Sequence, residues 1–180
     1  MQKYTSKVKF PKGADYIIGC TDEGFAPSKS SNNPMITLEF EVRAPESKMI
    51  DGEEYNMAGT RVAPVYFVTV PMDAAGVVDK DKQKATVARL EKVCRAFGLP
   101  FDSATFNPEN PTLGFKGKNV YAALYCESSE QRDDPTPEQL ARKELGTIQK
   151  NPITGEPRVR HNAKIDEIFG LAQTDATKPY

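Results

Sequence analysis

Met35 to Ala44 carries the plainest pattern in the chain. Ile36, Leu38, Phe40 and Val42 fall on one face of an extended segment, and Thr37, Glu39, Glu41 and Arg43 on the other. Period-two alternation of this kind predicts a strand with one face buried. Before it, Ala14 to Asp22 is apolar with aromatic and β-branched residues, lies between Gly13 and Gly24, and predicts a strand. Glu23 to Pro34 is dense in Ser, Asn, Pro and Gly and predicts a loop. Arg61 to Val70 predicts a third strand, apolar on both faces through its middle. Pro64 has no N–H to donate, so an edge or a bulge is expected there. Pro45 to Thr60, with Asp51-Gly52 and Gly59, predicts a loop or a small hairpin.

From Lys80 to Phe97 the period changes. Val87, Leu90, Cys94 and Phe97 recur at steps of three and four, with charged residues between them, and Gly98 and Pro100 follow as a stop. This is a helix. Phe101 to Gly114 reads as irregular. Asn119 to Glu127 predicts a strand, with Val120, Ala122, Leu124 and Cys126 on one face and Tyr121, Ala123 and Tyr125 on the other. Ser128 to Gly155 is a long polar excursion in which Thr136 to Leu145 opens with a helix-start signature. Glu156 to Gly170 predicts the last strand, Val159, His161, Ala163 and Ile165 alternating with Arg158, Arg160, Asn162 and Lys164.

Three strands, a helix and two strands is the element order of an OB-fold. The expectation is therefore a mainly β chain, a five-stranded Greek-key barrel with one helix between strands three and four and long loops. It would occupy residues 1–170, with residues 171–180 as a flexible tail.

Composition narrows the function classes. The chain has 180 residues, with 24 Lys and Arg against 25 Asp and Glu. Any polyanion-binding surface must therefore come from local segregation of charge. No apolar run is long enough to cross a bilayer, and Met1 to Phe10 lacks a signal-peptide stretch, so neither a membrane nor a secreted protein is expected. Cys20, Cys94 and Cys126 are far apart and read as reduced thiols.

Enzymatic chemistry finds little purchase. Phosphate-cradling glycine motifs are absent, and the one histidine, His161, is on the inward face of its strand and reads as a satisfied core or barrel-rim residue. Glu39 and Glu41 share a strand face and form the only carboxylate pair weighed as metal ligands, against the plainer reading of a solvated face. No cofactor and no metal are expected.

Single-stranded nucleic acid is gripped by cations along its backbone and by exposed aromatic faces on which bases stack. Arg158, Arg160 and Lys164 share one face of the last strand, and Tyr121 and Tyr125 the outward face of the strand before it. Arg61 shares parity with Phe67, which turns Phe67 outward; the competing parity exposes Tyr66 instead. Lys29 lies in the first long loop, and Lys116 and Lys118 lead into the fourth strand.

Several stretches are similar to a known family. They are Pro11-Lys12-Gly13-Ala14-Asp15-Tyr16, Ser30-Ser31-Asn32-Asn33-Pro34-Met35, Arg95-Ala96-Phe97-Gly98-Leu99-Pro100, Phe115-Lys116-Gly117-Lys118 and Arg160-His161-Asn162-Ala163-Lys164-Ile165. In this order the chain resembles the phage-encoded single-stranded DNA-binding proteins of OB-fold type, found in replication and recombination gene clusters. The resemblance implies a non-catalytic protein that coats single-stranded DNA in the cytoplasm of an infected bacterium and meets phage replication or recombination proteins there. It leaves homo-oligomerisation open. The alternative is an OB-type protein-interaction or virion-associated module with no nucleic-acid role.

Overall fold

The computed structural model describes residues 1–171. In chain order the strands are β1 (Gln2–Lys3), β2 (Gly13–Pro27), β3 (Pro34–Ala44), β4 (Ser47–Ile50), β5 (Glu53–Asn56), β6 (Arg61–Val68), β7 (Asn119–Glu130) and β8 (Val159–Leu171). Helix α1 (Lys80–Ala96) lies between β6 and β7, and the short α2 (Pro137–Ala141) between β7 and β8. Five strands close into a barrel in the order β2-β3-β6-β8-β7, with β7 returning to β2. β6 and β8 run parallel and the other barrel neighbours antiparallel. This is the five-stranded OB barrel expected from the element order, with its one long helix between the third and fourth barrel strands. Residues 172–180, which make up nearly all of the expected tail, lie outside the described residues.

The inward face of β3 follows its alternation: Ile36, Leu38, Phe40 and Val42 are all buried. β2 runs five residues beyond its expected end. A bulge between Cys20 and Asp22 absorbs the polar residues, and pairing resumes from Asp22↔Glu39 to Pro27↔Pro34. What read as a long loop shrinks to the turn Ser28–Asn33, closed by Ser28 N–H donating to Asn33 C=O at 2.8 Å. Pro45 to Thr60 is the small hairpin, its turn at Asp51-Gly52 with both φ values positive. β5 of that hairpin pairs in parallel with β1.

The bulge expected at Pro64 is present and decides what β6 shows to water. Leu38 pairs with Val65 and Phe40 with Val62, so β6 gains one residue across Ala63-Pro64. The extra residue reverses the alternation. Arg61 and Tyr66 both face outward, and Phe67 is buried at 1% exposure. The expectation that Phe67 stacks on bases is corrected: Phe67 is core, and Arg89 lies over its ring at 4.7 Å.

α1 is capped at both ends. Asp79 Oδ1 accepts from Lys82 N–H at 3.0 Å, and the acceptance holds the Asp79 carboxyl below its ordinary pKa. At the other end Leu99 N–H donates to Cys94 C=O at 2.9 Å and Gly98 N–H to Arg95 C=O at 3.0 Å, a Schellman closure with Gly98 at φ +63°. A Cβ on Gly98 would lie 2.7 Å from Leu171 Cδ1. Gly98→Ala is therefore expected to cost at least about 1–2 kcal/mol. An unchanged thermal midpoint would show that this helix end relaxes freely. α2 is half its expected length although its Thr136–Gln139 capping box is formed. None of its residues is buried, so no packing extends it.

The core collects the inward faces of the barrel with Leu90 and Cys94 of α1, with Phe97 at the C-cap of that helix, and with Tyr4 and Phe10 of the segment between β1 and β2. Cys20 and Cys94 are buried and Cys126 half-buried, all as free thiols. No helix among the described residues is long and apolar enough to cross a membrane.

Candidate nucleic-acid interface

β6 and β8 touch through a single register pair, Val62↔Ala163. This is the sparsest seam of the barrel, and a cleft of about 420 Å³ opens on it. Arg61 enters from β6, Arg160 and Asn162 from β8, Glu39 from β3, and Thr5 and Ser6 from the N-terminal segment. His161 N–H donates to Ser6 C=O at 2.8 Å, and His161 Nδ1 lies 2.7 Å from Ser128 Oγ. His161 is thus the satisfied rim residue that its parity suggested.

The two guanidiniums differ in what engages them. Arg61 meets Glu39 at 3.3 Å with its own side chain 87% exposed, a pair too solvated to hold the arginine against a phosphate. Arg160 is exposed and has no ion pair among the described residues. Planar guanidiniums on one open cleft suit bidentate capture of phosphate oxygens. Glu41 is occupied with Arg43 at 2.7 Å. Both carboxylates weighed as metal ligands are therefore turned to arginines, and the described residues hold no cluster of three metal-ligating side chains.

Farther along β6, Tyr66 is 49% exposed. Tyr66 stands opposite Thr37, and Thr37 opposite Gly24, which has nothing within 4 Å of where a Cβ would be. A large ring beside two small neighbours forms a ledge on which a base can lie flat.

The other residues singled out from sequence fall in separate places. Tyr121, Tyr125 and Lys164 share the outer face of β7 and β8, Tyr121 opposite Gly170 and Tyr125 opposite Lys164. Lys164 forms an ion pair with Glu127, and that hydrogen bond raises its pKa. Lys116 meets Asp22 at 2.9 Å, which raises the lysine pKa and lowers that of the carboxyl. Lys118 is exposed on the same loop, whose backbone is tied to Cys20 by Cys20 N–H donating to Lys118 C=O at 2.9 Å. Lys29 is exposed in the β2–β3 turn. Arg158 is exposed at the base of the long excursion, where its N–H donates to Gln149 C=O and its C=O accepts from Gln131 N–H, both at 2.8 Å. The structure brings Arg61 and Arg160 together, and it groups the two tyrosines with Lys164. It does not gather all of them into one trough.

Four lysines escaped the sequence reading, whereas Tyr66 is the residue that the competing parity of its strand exposes. Lys3, Lys7, Lys9 and Lys12 are all exposed, and none has an ion pair among the described residues. The segment that carries them is pinned from within. Phe10 packs between Tyr4 and Tyr16 at ring distances of 5.5 and 5.3 Å, Tyr4 O–H donates to Val8 C=O, and Tyr16 O–H to Pro11 C=O. The signal lay in charge segregation: the first acid of the chain is Asp15, after four lysines.

Comparison with protein-family models, with curated proteins and with solved structures returned no match.

Proposed function

We propose that this barrel binds single-stranded DNA without sequence preference, in the manner of the phage-encoded OB-fold proteins that its sequence resembles. In that role it is non-catalytic: it coats strands in the host cytoplasm and keeps them unpaired for a replication or recombination machinery. The observation that carries the proposal is that Arg61 and Arg160 line one cleft, with Tyr66 exposed farther along the same strand as Arg61. Cations supply the sequence-independent attraction to phosphate, and the ring supplies stacking that every base satisfies.

Fluorescence anisotropy with a labelled oligonucleotide across a salt series tests it. Arg61→Ala with Arg160→Ala should reduce the log–log salt slope by about 1.4, from about 0.7 per phosphate contact on a single strand. Tyr66→Ala should weaken binding by about 1–3 kcal/mol and leave the slope alone. Absence of binding at micromolar protein and low salt sinks the proposal. That result would favour a protein-interaction module, for which Leu140, Leu145 and Ile153 of the long excursion, at 61, 71 and 92% exposure, offer the contact surface.

A further inference from the structure

The segment Thr5–Lys12 separates two depressions. On one side Thr5 and Ser6 border the Arg61–Arg160 cleft. On the other side Lys9 and Lys12 line a larger groove of about 970 Å³, together with Tyr125, Ile165 and Met49 of β4. β8 passes both: Asn162 borders the cleft and Ile165 the groove. Three residues of strand are about 10 Å, so the two depressions are neighbours.

We infer that the lysine-bearing segment Thr5–Lys12 extends the binding site: a single strand held at Arg61 and Arg160 crosses this strap and continues into the groove, where a base stacks on Tyr125. This rests on the proposed single-stranded DNA binding and assigns its path. The charge layout sets the orientation of the strand. Lys9 and Lys12 belong to the strap, with Lys7 between cleft and groove in the chain, while Asp51 and Asp166 border the groove without pairing to either lysine. Phosphates therefore follow the strap, and bases turn toward Tyr125 and Met49. The strap bears this load because Phe10 is buried beneath it at 1% exposure and its backbone is tied to Tyr4 and Tyr16. Its lysines are free to contact phosphate without disturbing the core.

Anisotropy with oligo(dT) of about 5 and about 16 nucleotides, the span reported for single OB folds, separates the two depressions. Lys7→Ala, Lys9→Ala and Lys12→Ala combined should lower the salt slope on the long oligonucleotide by about 2. Between 50 and 200 mM salt the unaltered protein then loses roughly 20-fold more affinity than the variant. On the short oligonucleotide the two proteins should behave alike. Tyr125→Ala should weaken long-strand binding roughly 5- to 150-fold, and Tyr125→Phe should restore it, since the ring and not the hydroxyl is used. The lysines are exposed and have no ion pair among the described residues, so the triple variant keeps the thermal midpoint. An unchanged slope on the long strand, in a protein whose slope still responds to Arg61→Ala and Arg160→Ala, overturns the path and leaves the function standing. If the unaltered protein binds neither oligonucleotide, the function and the path fall together.

Discussion

Replacing Phe97 with alanine is expected to lower the free energy of unfolding by about 3–5 kcal/mol, the usual cost of emptying a buried aromatic site. Phe97 is 1% exposed and sits against two other rings, Phe115 edge-on at 5.1 Å and Phe40 tilted at 6.0 Å. These contacts tie three separate stretches of chain: the end of α1, the loop before β7, and the middle of β3. No single neighbour can move to fill the void, because each is held by its own element. At roughly 2–4 °C per kcal/mol for a chain of this size, the thermal midpoint should drop by on the order of 10 °C. Phe97→Leu retains most of the volume and should cost less than about 1.5 kcal/mol. Equal losses from both variants would mean that ring–ring geometry, and not volume, stabilises the site. A negligible loss from alanine would contradict the packing described.

The same helix matters to the binding surface. The β6–β8 seam has one register pair, so backbone hydrogen bonding contributes little to closing it. α1 packs against both β6 and β8, and the N-terminal segment reaches His161 of β8 through Ser6. The seam is thus bridged by side-chain packing on one hand and by a strap contact on the other. A gap held open in this way gives Arg61 and Arg160 room to stand at one cleft, which a fully paired strand edge would not.

The fold was largely legible because its strands alternate and its helix is punctuated. β3 is half-buried along nearly its whole length, and α1 ends at a glycine with a proline two residues on, so local pattern and tertiary role coincide there. The pattern failed where a bulge shifts its phase. β2 reads as ending at Asp22 because the stretch after it is dense in Ser, Asn, Pro and Gly, although a bulge after Cys20 lets its pairing continue, and the bulge in β6 presents Tyr66 in place of Phe67. A one-residue insertion exchanges the two faces of a strand, and neither parity is preferred by a segment as apolar as Arg61 to Val68. The site suffered more than the fold. Which outward faces adjoin depends on barrel closure: Arg61 and Arg160 are 99 positions apart and meet only because β6 lies beside β8. Tyr121 and Tyr125 stand on β7 beside β8, whereas Tyr66 stands on β6 beside β3. The lysines of the strap were visible as a run of like charge, but only the structure shows that their segment borders both depressions.

Alkaline pH should erode the stability of this protein steeply, the decline beginning near pH 9. Four acidic groups lie in the core. Burial, with the Glu23 charge adding to it, pushes the Cys20 thiol up to about 11 and the Cys94 thiol up to about 12, from an ordinary 9.0. Burial likewise pushes Tyr4 up to about 12 from 10.0, and it raises Tyr16 further. Each of these pKa values is higher in the folded state than in the unfolded chain. Stability is therefore complete below pH 9 and falls as the unfolded state begins to release protons that the folded state retains. With each unit equivalent to about 1.36 kcal/mol, the four groups together remove on the order of 8 kcal/mol by pH 11. That is comparable with the entire stability of an ordinary domain, at about 5–15 kcal/mol. Urea denaturation at half-unit steps from pH 7.5 to 11 measures the decline. Cys20→Ala with Cys94→Ala lowers the starting stability but should delay the onset by about one unit, since only the tyrosines then titrate. A urea midpoint that stays level to pH 10.5 would show that the two thiols are not held protonated by the core.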